Sequence, residues 1–396
     1  MGEKPFPTKL AAILPPWDFI QGNAAAFSGS DEPSRDRAPD KRPPKRHKDR
    51  QRLRKVEKML YNKVCIEGLG YVLPEKVVES SWIEEQIAPV YQALNLPIGF
   101  LEQMSGVKQR RWWEDGVEFS DASAMAGEKA IADAGIDRNE IGIVVNTSVC
   151  RDWIEPSTAC IVHHKLGLSP HAMNFDVGSA CLGFIEGMTV VANMIELGQV
   201  RAGLVVAGEG SKEIIMATID RMLKEPPSLQ FCSEVMTAFT FGSGGVAMVM
   251  TNASRSKKQK RLLGRYSYAS TEHHDLCVGQ RTWGRIRPKE MLKAGLHPLA
   301  KGWEGFLAEL QWDVGMIDRI FTHQVSSSHR KLGGEVLGIS FEKDYPTLSF
   351  LGNIGSVSAP LCLAMGLEAG VVKEGHKVCL MGMGSGINCT FMGMQW

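Results

Sequence analysis

DVGSACLGF (Asp176–Phe184) is the stretch on which the reading of the fold turns. It continues a short apolar run, MNFDV (173–177), through small residues to Cys181, and then into a helical pattern that extends to Leu197. An apolar strand that turns sharply into a helix belongs to layered α/β folds, which present chemistry at strand ends. A cysteine at a helix N-terminus feels the positive end of the macrodipole and nearby backbone N–H donors. Both favour the thiolate, the nucleophilic form, so a lowered thiol pKa is expected at Cys181. The other eight cysteines (Cys65, Cys150, Cys160, Cys232, Cys277, Cys362, Cys379 and Cys389) have no such setting and read as structural.

On either side of this stretch the texture alternates between strands and helices. IGIVVNTS (141–148), GLVVAG (203–208) and GVAMVM (245–250) are short apolar runs typical of buried strands. Residues 122–135 have helical spacing and a glycine stop. The Met- and Phe-rich stretch 211–240 reads as a helical insertion whose apolar positions (Ile214, Ile215, Ile219, Met222, Leu223) serve the core or line an acyl tunnel. After a polar linker, Thr251–Lys260, the pattern recurs: a strand near 262–270, a long helix near 288–310, the strand RIFTHQ (319–324), a helix over 356–372 and the strand KVCLMGM (377–383). Two βα-rich halves, 59–251 and 252–396, are therefore expected.

The first 58 residues differ from the rest. They hold 14 Lys/Arg against 8 Asp/Glu, a formal +6, and end in the basic run Lys41–Lys58. The remaining residues carry a formal −5, so the net charge of +1 hides a basic leader on an acidic body. Such a leader lacks the apolar surface to offset chain entropy and reads as disordered. No aromatic residues interleave its basic run, which argues against a nucleic-acid arm. No apolar run approaches the length of a membrane span, and the short stretch Leu10–Leu14 lacks a signal-peptide cleavage region. Nine cysteines without a CxxC pair point to a reducing cytoplasm rather than a disulfide framework. The adjacent histidines His163-His164 and His273-His274 lack ligand partners at zinc spacing, so no metal site is expected.

A cysteine nucleophile needs a base or charge partner and donors for an oxyanion. His323 closes the RIFTHQ strand. Asn353 lies in LGNIGS, a Gly-flanked turn before a helix, with an amide able to donate to a thioester oxygen. GMGSGIN (Gly382–Asn388) offers a Gly/Ser bend whose N–H groups can face a substrate oxygen. Each signal alone is modest. Together, DVGSACLGF, THQVSSSH, LGNIGSVSAP and GMGSGINCT resemble the Cys–His–Asn condensing enzymes of the thiolase superfamily, across nearly all of residues 59–396. The similarity is strongest to the 3-oxoacyl-acyl-carrier-protein synthase III group and to its relatives, the acyl-CoA condensing enzymes of olefin biosynthesis. MLYNKVCIEGLGY, from Met59, also resembles that family's amino terminus.

The resemblance implies a five-layered αβαβα thiolase fold with two pseudo-symmetric halves, acting as a homodimer. It implies that Cys181 is acylated, that His323 and Asn353 hold the second substrate's thioester oxygen, and that the backbone N–H groups of Cys181 and Ser385 form an oxyanion hole. RDWIEPST (Arg151–Thr158) is similar to the olefin-pathway members, in which the corresponding glutamate reaches the active site from the partner subunit. Glu155 would then be the base that removes an α-proton from a second acyl-CoA, giving head-to-head Claisen condensation to a 2-alkyl-3-oxo acid. The alternatives are a decarboxylating synthase III using malonyl-acyl-carrier protein, and a silent lipid-binding scaffold on the same fold. Arg110 and Arg111, in GVKQRR, would meet CoA phosphates. No cofactor is implied beyond CoA or acyl-carrier-protein thioesters as substrates, and downstream olefin-pathway enzymes are further candidate partners.

Overall fold

The computed structural model describes residues 60–396; the expectation for the basic leader, residues 1–58, lies outside them. Nine strands carry the architecture: β1 (Val64–Val72), β2 (Ile141–Asn146), β3 (Met173–Asp176), β4 (Ala202–Glu209), β5 (Gly244–Asn252), β6 (Lys260–Ala269), β7 (Arg319–Thr322), β8 (Lys377–Gly384) and β9 (Asn388–Gln395). Their spatial order is β7-β8-β9-β6-β1-β5-β4-β2-β3. In the first half β2 runs parallel to β3 and β4, while β4–β5 and β5–β1 are antiparallel. In the second, β7 is parallel to β8, while β8–β9 and β9–β6 are antiparallel. The order β2-β4-β5-β1 thus recurs as β7-β8-β9-β6 with the same directions. The halves join through two residue pairs of β1 and β6, Cys65–Arg261 and Ile66–Lys260.

The helices that position the site are α1 (Phe119–Ala134), α2 (Thr158–Lys165), α3 (Gly183–Glu196), α4 (Lys212–Lys224), α5 (Leu229–Val235), α6 (Pro288–Leu310), α7 (Ser327–Leu337) and α8 (Ser358–Glu368). Strand periodicity sorts them into layers, because successive side chains of a strand face opposite ways. Val205 and Ala207 of β4, with Met248 and Met250 of β5, join a core that also holds Phe184 and Val191 of α3 and Leu361 and Leu363 of α8. Leu204, Val206, Ala247 and Val249 face the other way, onto Ala126 and Ala130 of α1 and Val162 of α2. In the second half, Val378 and Leu380 of β8 face the α3/α8 core, whereas Cys379 and Met381 join Trp303 and Phe306 of α6. The sequence of layers is α1/α2, sheet, α3/α8, sheet, α6/α7. This is the five-layered αβαβα fold expected from the sequence.

Strands apolar on both faces explain why these segments read as continuous hydrophobic runs. The helix expected over 122–135 spans Phe119–Ala134 and is stopped by Gly135, at φ +57°. The 211–240 insertion is helical as α4, α5 and a short 3₁₀ segment, Met236–Thr240. Among the described residues, no helix is long and apolar enough to cross a membrane.

Candidate active site

The helix expected to begin at Cys181 begins two residues later. Ala180–Leu182 forms a 3₁₀ turn, and α3 starts at Gly183. Ala180 has φ +45°, a left-handed conformation costly to any residue with a Cβ. Gly183 lets the turn sit against β2: a Cβ at that position would lie 2.5 Å from the carbonyl oxygen of Thr147.

His323, Asn353 and the Ser385 bend converge on this turn from the second half. A Cβ on Gly382 would be 2.7 Å from Leu182 Cδ2 and 3.3 Å from the Cβ of His323, so β8 passes closely between the nucleophile turn and His323. The Cβ position of Gly384 lies 3.1 Å from Leu182 Cγ and 3.6 Å from the Ser179 carbonyl, which brings the adjoining Ser385 bend over the nucleophile turn. Asn353 is fixed by its backbone: its N–H donates to Thr240 O at 2.8 Å, and its carbonyl accepts from Gly242 N–H at 2.9 Å. Its side-chain Oδ1 lies 3.0 Å from His323 Nε2 and accepts from Gly355 N–H at 3.0 Å. That leaves the Asn353 amide N–H₂ to donate elsewhere. His323 Nδ1 lies 2.9 Å from the Met383 carbonyl, so both ring nitrogens face oxygen acceptors. Burial lowers the His323 pKa, opposed by the bonds to Asn353 and Met383.

The lowered thiol pKa expected at Cys181 is corrected here. Burial, followed by the Glu209 carboxylate, pushes the Cys181 thiol up to about 12, with its own backbone N–H pulling weakly the other way. Desolvation disfavours a buried anion more than one turn of N–H groups favours it. A thiol in that setting is held in its protonated form, so acylation has to remove the proton as the S–acyl bond forms.

Arg110 is a second correction. It is fully buried, and its guanidinium donates to Val78 O at 3.3 Å, Ser80 Oγ at 2.9 Å and Phe239 O at 2.7 Å. Burial lowers its pKa to about 10. It ties the strand pair Lys76–Glu79/Gln109–Trp112 to the segment before Asn353's anchor and presents nothing to a phosphate. Arg110→Ala is expected to cost about 3–5 kcal/mol, because it strands buried acceptors and opens a cavity. Thermal denaturation should show that loss, with KM for acyl-CoA little changed in the folded fraction. A raised KM at unchanged stability would restore the phosphate role. Arg111, on the opposite face, is half-buried and donates to Pro74 O at 2.9 Å.

Glu155 is exposed and is not brought to Cys181 of its own chain. It follows Trp153 and Ile154, which are 64% and 96% exposed. Beside them the sheet ends at β3, whose Met173 and Phe175 are also exposed.

Sequence reasoning missed two groups. Glu209, the last residue of β4, is buried beside Cys181, and an acid closing an apolar strand was its legible signal. Cys277, read as packing, lies near the Ser385 side chain and Cys181, and burial raises its thiol pKa. Nothing in its local sequence marks it.

The residues flanking His323 share a buried acid. Asp344 accepts from Thr322 Oγ1 at 2.9 Å and from Gln324 Nε2 at 3.4 Å, and Arg330 Nε lies 3.5 Å away. Burial raises its carboxyl from 3.8 to about 6, against the opposing pull of Thr322 and Arg330. The folded state then binds more protons than the unfolded one between those values, so this group's contribution to stability grows as pH falls through about 6. Relative to Asp344→Asn, the parent should gain about 2 kcal/mol between pH 7.5 and pH 4.5. Denaturant titration of both proteins checks this, and a pH-independent difference would refute it.

The 3-oxoacyl-[acyl-carrier-protein (ACP)] synthase III family matches residues 175–269, and its C-terminal family matches residues 307–396. The acyl-CoA:acyl-CoA alkyltransferase of Shewanella oneidensis is 40% identical over 350 residues, spanning 85% of this chain and all of the relative. The chain belongs to the acyl-CoA:acyl-CoA alkyltransferase family. The alkyltransferase of Xanthomonas campestris pv. campestris is 35% identical over 338 residues, again 85% of this chain and all of the relative. Solved structures of Xanthomonas campestris OleA superpose with a TM-score of 0.83 at 34–35% identity, covering 85% of this chain and 98–100% of theirs. A β-ketoacyl-[acyl-carrier-protein] synthase III from Staphylococcus saprophyticus is 26% identical over 338 residues. The alkyltransferase family, rather than the synthase III enzymes, thus gives the higher identities, and both share the 3-oxoacyl-synthase type of acyl transfer.

Proposed function

We propose that this enzyme joins two fatty acyl-CoA molecules head to head through an acyl-Cys181 intermediate. The Cys181 sulfur attacks the first thioester, forming the S–acyl bond and releasing CoA. Glu155 of the partner subunit takes an α-proton from the second acyl-CoA, whose thioester oxygen accepts from His323 and Asn353. The α-carbon then attacks the acyl-Cys carbonyl, its oxyanion held by the N–H groups of Cys181 and Ser385, and Cys181 leaves. Hydrolysis of the remaining thioester gives a 2-alkyl-3-oxo acid and CoA. Arg111 is left as the candidate phosphate contact.

The observation that carries this reading is the carboxylate of Glu155 on an exposed apolar loop beside an open sheet edge. An unpaired edge with apolar side chains calls for cover, and a second copy pairing β3 with β3 supplies it. A carboxylate buried in that way acquires the basicity an α-proton demands. Support comes also from OleA, which has been solved with bound lauric acid and lauroyl-CoA, and with a cysteine, a glutamate or a histidine replaced. On this reading residues 59–251 supply the nucleophile and residues 252–396 supply His323, Asn353 and Ser385. Nine free cysteines fit a cytoplasmic enzyme.

Malonyl donors provide the discriminating test. Incubated with acyl-CoA and malonyl-acyl-carrier protein, the enzyme should release no CO₂ above background. Stoichiometric CO₂ would instead make it a decarboxylating synthase III. Failure to form any acyl adduct on Cys181 would point to a silent lipid-binding protein.

A further inference from the structure

Glu209 is buried at the end of β4, 4% exposed, in the seam between the two halves. Its carboxylate accepts from two successive backbone N–H groups, Val149 at 2.8 Å and Cys150 at 3.0 Å. It also accepts from the Ser356 hydroxyl at 3.1 Å. The Cβ position of Gly355 lies 3.3 Å from Glu209 Oε1, and its φ of +54° is the left-handed region that favours glycine, so the Asn353–Ser356 turn closes tightly on the carboxylate. Gly355 N–H is in turn the donor that holds Asn353 Oδ1. A continuous path therefore runs from Glu209 through Ser356 and Gly355 to the Asn353 amide and on to His323. On its other side, Glu209 holds the start of the loop that carries Glu155. Both carboxylate oxygens are engaged, so Glu209 is not poised to abstract a substrate proton.

We propose that Glu209 is a positioning residue for the condensation step: it locks the Asn353 turn of one half against the strand end beside Cys181 in the other, aiming the Asn353 amide N–H₂ at the second thioester. The proposal rests on the reading of His323 and Asn353 as the thioester-oxygen donors. It does not depend on which donor supplies the carbanion, since malonyl and acyl thioesters present the same oxygen. The carboxylate also acts on the nucleophile, because a buried negative charge beside Cys181 opposes thiolate formation.

Glu209→Gln keeps the shape and removes the charge, and one of its amide hydrogens then faces a backbone N–H. The variant should still form the acyl-Cys181 adduct, seen by intact-protein mass spectrometry. Its kcat for condensation should fall by roughly 100-fold with KM little changed, the scale of effect expected from misplacing a reacting group by about 1 Å. The pH midpoint of Cys181 alkylation by iodoacetamide should move down, a shift that a merely structural residue would not cause. Peptide mapping reads the Cys181 site apart from the exposed Cys160 and from the half-buried Cys150 and Cys277. Condensation within about threefold of the parent, or an unmoved alkylation midpoint, would overturn the proposal. If Glu209→Gln does not fold, Ser356→Ala removes a single bond to the carboxylate and should lower condensation about tenfold while sparing acylation. Parental condensation in that variant would equally overturn it. A parent that condenses only malonyl donors would refute the acyl-CoA reading and leave the Glu209 comparison intact, made with that donor.

Discussion

With Cys181 replaced by alanine, condensation is expected to fall by roughly ten-thousand-fold or more, and the acyl adduct to vanish from the intact-protein mass spectrum. The sulfur forms and breaks the only covalent bond between substrate and enzyme, and no other thiol occupies its place. Cys277 lies near the Ser385 side chain, but it belongs to the strand Cys277–Gln280 rather than to the turn at the foot of α3. It therefore lacks the backbone N–H of that turn as an oxyanion donor. The fold should survive the substitution, since the change removes one heavy atom and adds no bulk or charge. Circular dichroism and thermal denaturation close to the parent's, with activity lost, are the expected pair of results. An adduct that persists in Cys181→Ala would move the nucleophile elsewhere, with Cys277 the first place to look.

Glu155→Gln separates the two halves of the reaction. Acylation of Cys181 needs no α-proton removed, so adduct formation should be retained. Condensation needs that proton removed and should fall by roughly 100- to 10,000-fold, the range attributable to a general base. The subunit origin of the carboxylate adds a sharper test. Glu155 is exposed in its own chain, and on the proposed reading a complete site takes Cys181 from one copy and Glu155 from the other. Mixing inactive Cys181→Ala with inactive Glu155→Gln, then dissociating and reassociating them, should restore about a quarter of parental activity, because half the dimers are mixed and each mixed dimer holds one complete site. If both groups acted within one chain, no mixed dimer would contain a working site. The mixture would stay dead.

Much of this architecture was written locally. Strands such as IGIVVN and GLVVAGE are apolar on both faces because each lies between two helical layers, and that run of hydrophobicity is visible without a structure. Cys181, His323 and Asn353 stand at strand ends or Gly-flanked turns, modest signals singly that became legible through the resemblance of their four motifs to the Cys–His–Asn condensing enzymes. What escaped the sequence depended on three-dimensional burial. Arg110 and Arg111 are adjacent and chemically identical, yet alternate faces of a short strand bury the first and leave the second half-buried. The thiol pKa followed the helix-terminus argument only in sign of the N–H contribution; burial and Glu209 come from segments distant in sequence and dominate it. Glu209 itself looked like the end of a strand, because its partners, Val149, Cys150 and Ser356, come from two other loops. Glu155 carried a recognisable motif, but on its own chain it is exposed, and the destination proposed for it is the partner subunit.

The most direct measurement supplies fatty acyl-CoA labelled with ¹³C at its carbonyl carbon as the sole substrate, and reads the product by mass spectrometry. Head-to-head joining predicts a 2-alkyl-3-oxo acid that keeps both labelled carbons, one as ketone and one as carboxyl, with two CoA released per product. A product that forms only when malonyl thioester is added, and that carries a single labelled carbon, would contradict the account.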